Sequence, residues 1–233
     1  MWGKAAFWWG VTFLFAWWFF MGDNPIQLAH AFVGRGKQLT TSHLNDDGSL
    51  QESPEDLQAQ VKAALGRDVA LDAVLLARVT ASEHAGASER EKSAIAWVCK
   101  NDADSHGWSI RYTVTVNPGT LGTQAGRRYS TAGGGLGTRE IHEDDLYVAE
   151  SILAGAIADL TGGATKFVHY TGYRTFADFL SSHPSVEAWE SEGLSPVFLG
   201  DVSTLVVFLP SDKVNADGQP IATAGDGGDS GEG

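Results

Sequence analysis

A chain of 233 residues suits one folded domain with appendages, since domains cluster near ~100–150 residues. Its formal net charge of −13 excludes nucleic acid as a partner, because that affinity comes from lysines and arginines displacing phosphate counterions. Cys99 is the one cysteine, which excludes an intrachain disulfide, and neither His-Glu-x-x-His nor paired-cysteine spacing is present, so no metal and no cofactor is expected.

Residues 5–21 read AAFWWGVTFLFAWWFFM, with no charge and only Gly10 as a helix breaker. At ~1.5 Å per residue the run covers about 25 Å of a hydrocarbon core near 30 Å, a short span that Gly22 and a snorkelling Lys4 extend. Trp2, Trp8, Trp9, Trp17 and Trp18 fit two interfacial belts, and Lys4 before the span with Asp23 after it favours an amino terminus inside the cytoplasm. Residues 1–22 are therefore read as a transmembrane anchor that leaves the rest of the chain outside. The competing readings are a signal peptide cleaved near Ala29-His30-Ala31 and a buried soluble helix. Residues 23–52 are polar, without a sustained period, and are read as a linker.

Structure is predicted to resume at Ser53, where Ser53-Pro54-Glu55-Asp56 supplies an N-cap, a first-turn proline and two acids ahead of Leu57, Val61 and Leu65. Gly66 closes that helix. Asp68 is read as the cap of a second helix carrying Leu71, Val74, Leu75, Arg78 and Val79 toward Glu83, ended by Gly86. Ser88-Glu89-Arg90-Glu91 reads as a capping box opening a third, through Ala94, Ile95, Trp97, Val98 and a buried Cys99.

Residues 102–141 look irregular, with Tyr112, Val114 and Val116 alternating as a candidate strand and a glycine loop at 133–137. That loop does not complete Gly-x-Gly-x-x-Gly, because Thr138 or Glu140 stands at its third position, so no dinucleotide site is expected. Helical periods follow at 143–154, 175–181 and 186–192, and the apolar run Leu205-Val206-Val207-Phe208-Leu209 reads as a buried strand. The folded domain is placed at 53–210, and residues 211–233 are read as a disordered acidic, glycine-rich tail.

Residues 77–86, ARVTASEHAG, put Glu83 at the end of an apolar helix. Partial burial and the negative pole of a helix C-terminus both favour the neutral form of a carboxyl, the form that can protonate a departing sugar oxygen. The plainer reading pairs Glu83 with Arg78 or Arg90 on a solvated face.

Ala77-Arg78, Glu83, Gly86 and the alanine-rich helix at 94–98 ending in Asn101 resemble the opening block of the SleB-like (spore cortex-lytic) family of cell wall hydrolases. Residues 149–155 followed by Asp159-Leu160-Thr161-Gly162-Gly163-Ala164-Thr165-Lys166-Phe167 resemble its second block. Trp189, Leu199-Gly200 and the run to Phe208 resemble a third. Asp102, Leu160 and Asp201-Val202 depart from the residues usual there. The resemblance implies a mainly α, lysozyme-like (α+β) catalytic domain with a small β element. It also implies Glu83 as acid/base of a peptidoglycan-cleaving lytic transglycosylase, with glycan strands and, through the anchor, the lipid bilayer as partners.

The same resemblance implies a glycan-lining role for Tyr129, Ser130 and Thr131. In the second block it suggests Thr161, Thr165 and His169 as substrate-binding residues, where glycines let a polysaccharide approach the backbone. Glu89 and Glu91 are read as cap and surface groups, and Tyr170 and Tyr173 as core aromatics. The implied location is the extracytoplasmic face of a membrane, or a virion. The alternative from another class is a catalytically silent glycan-binding or envelope-docking protein.

Overall fold

The computed structural model describes residues 36–41, 43, 52–83, 87–115, 140–169, 173–199 and 205–221. The chain divides between Lys37 and Gln38, and the architecture is that of the unit beginning at Gln38. The predicted anchor, the glycine loop at 133–137 and Tyr129-Ser130-Thr131 lie outside the described residues, as do Tyr170 and positions 222–233. Among the described residues no helix is long and apolar enough to cross a membrane.

The unit is mostly helical with a small three-stranded sheet. The elements in order are α1 (Pro54–Leu65), α2 (Leu71–Glu83), α3 (Glu89–His106), α4 (Ile110–Thr115), α5 (Glu143–Leu153), β1 (Lys166–His169), α6 (Phe176–Ser182), α7 (Pro184–Glu190), β2 (Leu194–Phe198) and β3 (Leu205–Pro210). A 3-10 turn at Ser211–Lys213 follows.

Every residue from Ala73 to Ser82 is buried, so α2 is the central helix, with α1, α3, α4 and α5 packed around it. A helix apolar on all sides has nowhere else to go. Asp68 does not cap it: the helix starts at Leu71, and Asp68 pairs with Lys62 of α1 at 2.5 Å. The predicted strand at 112–116 is also corrected, since α4 takes in residues 112–115, while Val116 lies outside the described residues. Ile110, Thr113 and Val114 form a buried stripe at helical spacing that the short alternation concealed.

β3 is the middle strand, antiparallel to both neighbours. Leu205, Val207 and Leu209 face the helical core, whereas Val206 and Phe208 face a second cluster of Phe179, Val186 and Trp189. A strand covered on both faces must be apolar throughout, which is why 205–209 lacks alternation. β1 and β2 are edge strands, the position where Pro196 costs no ladder bond.

Two predicted boundaries move. Residues 38–40 belong to the folded unit and not to a linker: Gln38 bridges His142, the Leu39 amide donates to Ile141 O at 2.7 Å, and Leu39 and Thr40 are buried. At the other end, order continues past 210 to Ile221. Val214 bridges Pro220, and the Ile221 amide donates to Lys213 O at 2.8 Å.

Candidate functional site

Glu83 is the last residue of α2 and is half-buried. Ser88 opens α3 by accepting from the Glu91 amide at 3.2 Å. Glu91 is not the surface group expected. It is 3% exposed, on the inward stripe that continues through Ile95, Val98 and Asp102. Its Oε1 lies 3.7 Å from Nδ1 of His169.

The glycine-rich second block is organised by Asp159. Its Oδ1 accepts from the Thr161 amide at 2.7 Å and the Thr161 hydroxyl at 2.6 Å, and its Oδ2 accepts from the Gly163 amide at 2.8 Å. Gly162 and Gly163 take φ of +67° and +88°, which side chains with a Cβ resist. From α3, the Asn101 amide nitrogen reaches Asp159 Oδ2 at 3.0 Å, Thr161 Oγ1 at 3.2 Å and Ala164 O at 3.2 Å.

These bonds correct the role expected of Thr161. It is fully buried and its hydroxyl is engaged inside the turn, where it shapes the backbone. Gly162 is exposed and Gly163 half-buried. A Cβ on Gly162 would meet Leu209 and Pro220 at 3.6 Å, and one on Gly163 the Lys213 ammonium at 3.6 Å.

From this turn β1 runs back along α3, against which it packs. Asn101 to Glu91 is about 15 Å of helix at ~1.5 Å per residue, and Ala164 to His169 is about 16 Å of strand at ~3.3 Å. The block is thus pinned to Asn101 at one end and delivers His169 to Glu91 at the other, in the first turn of the helix that follows α2 in the chain. His169 keeps 21% of its side chain exposed. Thr165, half-buried, precedes β1 at the Asn101 end. Lys166 pairs with Glu192 and lies 5.4 Å over the Trp189 ring, on the sheet's other face.

Other buried charges belong to the framework. Arg78 is 1% exposed, and burial pulls its guanidinium down to about 10 against the opposing pull of Glu52 and Glu140. Lys92 bridges Asp144 and, at 2.6 Å, the fully buried Asp145. Burial pushes the Asp145 carboxyl up, against the lowering pull of Lys92. A cavity of about 240 Å³ is lined by Glu55, Gln58, Ala59, Lys62, Asp68 and Val69, at the end of α2 opposite Glu83. Among the described residues no cluster of His, Cys, Asp and Glu could hold a metal ion.

Sequence reasoning singled out Glu83 and His169 and read Glu91 as a surface group, whereas Glu91 is buried. The readable signal was its spacing from Ile95, Val98 and Asp102, which puts it on the apolar side of α3. The capping-box pattern pointed the other way. Comparison of the chain with protein-family models, curated proteins and solved structures finds no match.

Proposed function

We propose that this protein is a peptidoglycan-cleaving glycosidase with a lysozyme-like catalytic domain, acting as a lytic transglycosylase with Glu83 as its acid/base. The observation that carries the reading is a half-buried glutamate closing a helix that is buried on every side. Such a site favours the protonated carboxyl that glycosidic cleavage requires. The lock between Asn101 and Asp159-Thr161-Ala164 supports it further, because it joins the first two of the three sequence blocks that carry the family resemblance.

In the proposed reaction Glu83 gives its proton to the bridging oxygen as the bond to the anomeric carbon breaks and oxocarbenium character develops. The 6-hydroxyl of the same muramic acid then attacks that carbon and returns its proton to the Glu83 carboxylate. The product is a 1,6-anhydro sugar, the enzyme is regenerated, and no second carboxylate is needed to activate water. The apolar segment at 5–21 would hold the domain on the extracytoplasmic side of a membrane, or the protein would ride on a virion. Fractionation of the expressed chain separates these two.

The test is digestion of purified sacculi with mass spectrometry of the fragments. Glu83→Gln is expected to lower turnover roughly 10²–10⁴-fold with an unchanged circular-dichroism melt, and wild-type fragments to carry anhydro ends. Equal turnover by both proteins removes Glu83 from the mechanism. Reducing ends would make the enzyme a hydrolase, and binding to sacculi without cleavage would favour a catalytically silent glycan-binding protein.

A further inference from the structure

We propose that Glu91 is a positioning residue of this site, its buried carboxylate fixing the imidazole of His169 where the glycan passes Glu83. The substrate named here rests on the glycosidase reading above. The geometry of the pair does not depend on it.

Glu91 occupies the first turn of α3, where an acid is favoured by the helix's positive end. Its carboxyl has been withdrawn from water, and a buried carboxylate is tolerated only with compensating charge or hydrogen bonds. His169 Nδ1 stands 3.7 Å away, longer than a hydrogen bond. Contacts of this kind are often long without substrate and tighten when it binds.

The ring is held from other directions as well. The Phe167 ring meets it edge-on at 5.8 Å, and the backbone of His169 is in register with Leu205 of the central strand. Packing therefore limits where the ring can go, and the carboxylate beside Nδ1 selects its orientation and the tautomer carrying the proton on that nitrogen. The ring's Nε2 is buried, and the exposed fifth of the side chain is the surface left for a sugar. Thr161 sits at the opposite end of the block, about 15 Å along α3, and the Glu91 end is the one that follows Glu83 in the chain.

Two measurements on the full chain test this. In nitrogen NMR of isotope-labelled histidine, with His169→Asn identifying the signal, the neutral ring of wild type is expected to be protonated on Nδ1. Glu91→Met should move the proton to Nε2, and Glu91→Gln, which keeps an oxygen acceptor, should restore the wild-type pattern. In turnover of soluble glycan strands, Glu91→Met is expected to raise KM roughly tenfold, the worth of one charge-assisted contact, with kcat little changed. His169→Met should match it, and the double variant should lose no more than either alone. Unchanged ring signals in Glu91→Met, losses that multiply in the double variant, or lower thermal stability at constant KM would each overturn the proposal. The ring signals need no turnover, so they judge the pair even where wild type leaves sacculi intact, the outcome that removes the glycosidase reading alone.

Discussion

The Asn101 amide shares its two N–H groups among a carboxylate, a hydroxyl and a carbonyl of the 159–164 turn. Its removal leaves Asp159 and the Ala164 carbonyl, both in part-buried bonds, each short of a donor. Asn101→Ala is expected to cost about 1–3 kcal/mol, lowering the thermal midpoint by roughly 2–4 °C per kcal/mol for a domain of this size. A melt matching wild type would show that the turn stands without α3. At this scale the sequence displayed the chemistry but not its direction. Asp159, Thr161 and the two glycines are legible as a turn, yet Thr161 could not be told from a ligand contact, because the partner that turns it inward is sixty residues away. Glu91 was misread for the opposite reason: a local rule for helix caps outweighed the apolar stripe on which the residue also lies.

Among the elements, α1 shows how far local signals reach. Its Ser53 cap, first-turn proline, first-turn acids and closing Gly66 are present as read, and the structure adds a capping box with Asp56 and a left-handed conformation at Gly66. Burial raises the Glu52 carboxyl, but bonds from the His43 ring at 2.5 Å and the His43 amide at 3.1 Å outweigh this and hold it below 4.5. Bonds from the Ser53 side chain and backbone hold Asp56 below 3.8. A carboxylate depressed in the folded state adds stability above its unfolded pKa and loses it as pH falls through the folded value. The thermal midpoint of wild type is therefore expected to drop more steeply below pH ~4.5 than that of Glu52→Gln/Asp56→Asn. Parallel curves would mean that these groups titrate alike in both states. Asp145, pushed up by burial, runs the other way, and the comparison cancels it because both proteins contain it. β1 and β2 had no such local marks. They are short, lie at the sheet's edges and become strands because β3 offers them partners.

At the scale of the whole molecule, two apolar clusters meet on the two faces of β3, and the segment at 38–40 closes the helical one from outside. Leu39→Ala is expected to cost about 2–5 kcal/mol as a large-to-small core change, whereas Thr41→Ala, at an exposed position, should stay within ~0.5 kcal/mol. Equal melts would return residues 38–40 to the linker first assigned. What the sequence determined by itself was whatever neighbouring residues can decide: helix caps and periods, the buried character of α2 and β3, and a carboxyl at the end of α2. The tertiary structure alone decided that 38–40 and 211–221 belong to the fold, that 110–115 is helical, and that His169 stands beside the buried Glu91. Each of those outcomes depends on contacts between segments far apart in the chain, and a pattern of neighbours carries no record of which distant surface will cover it.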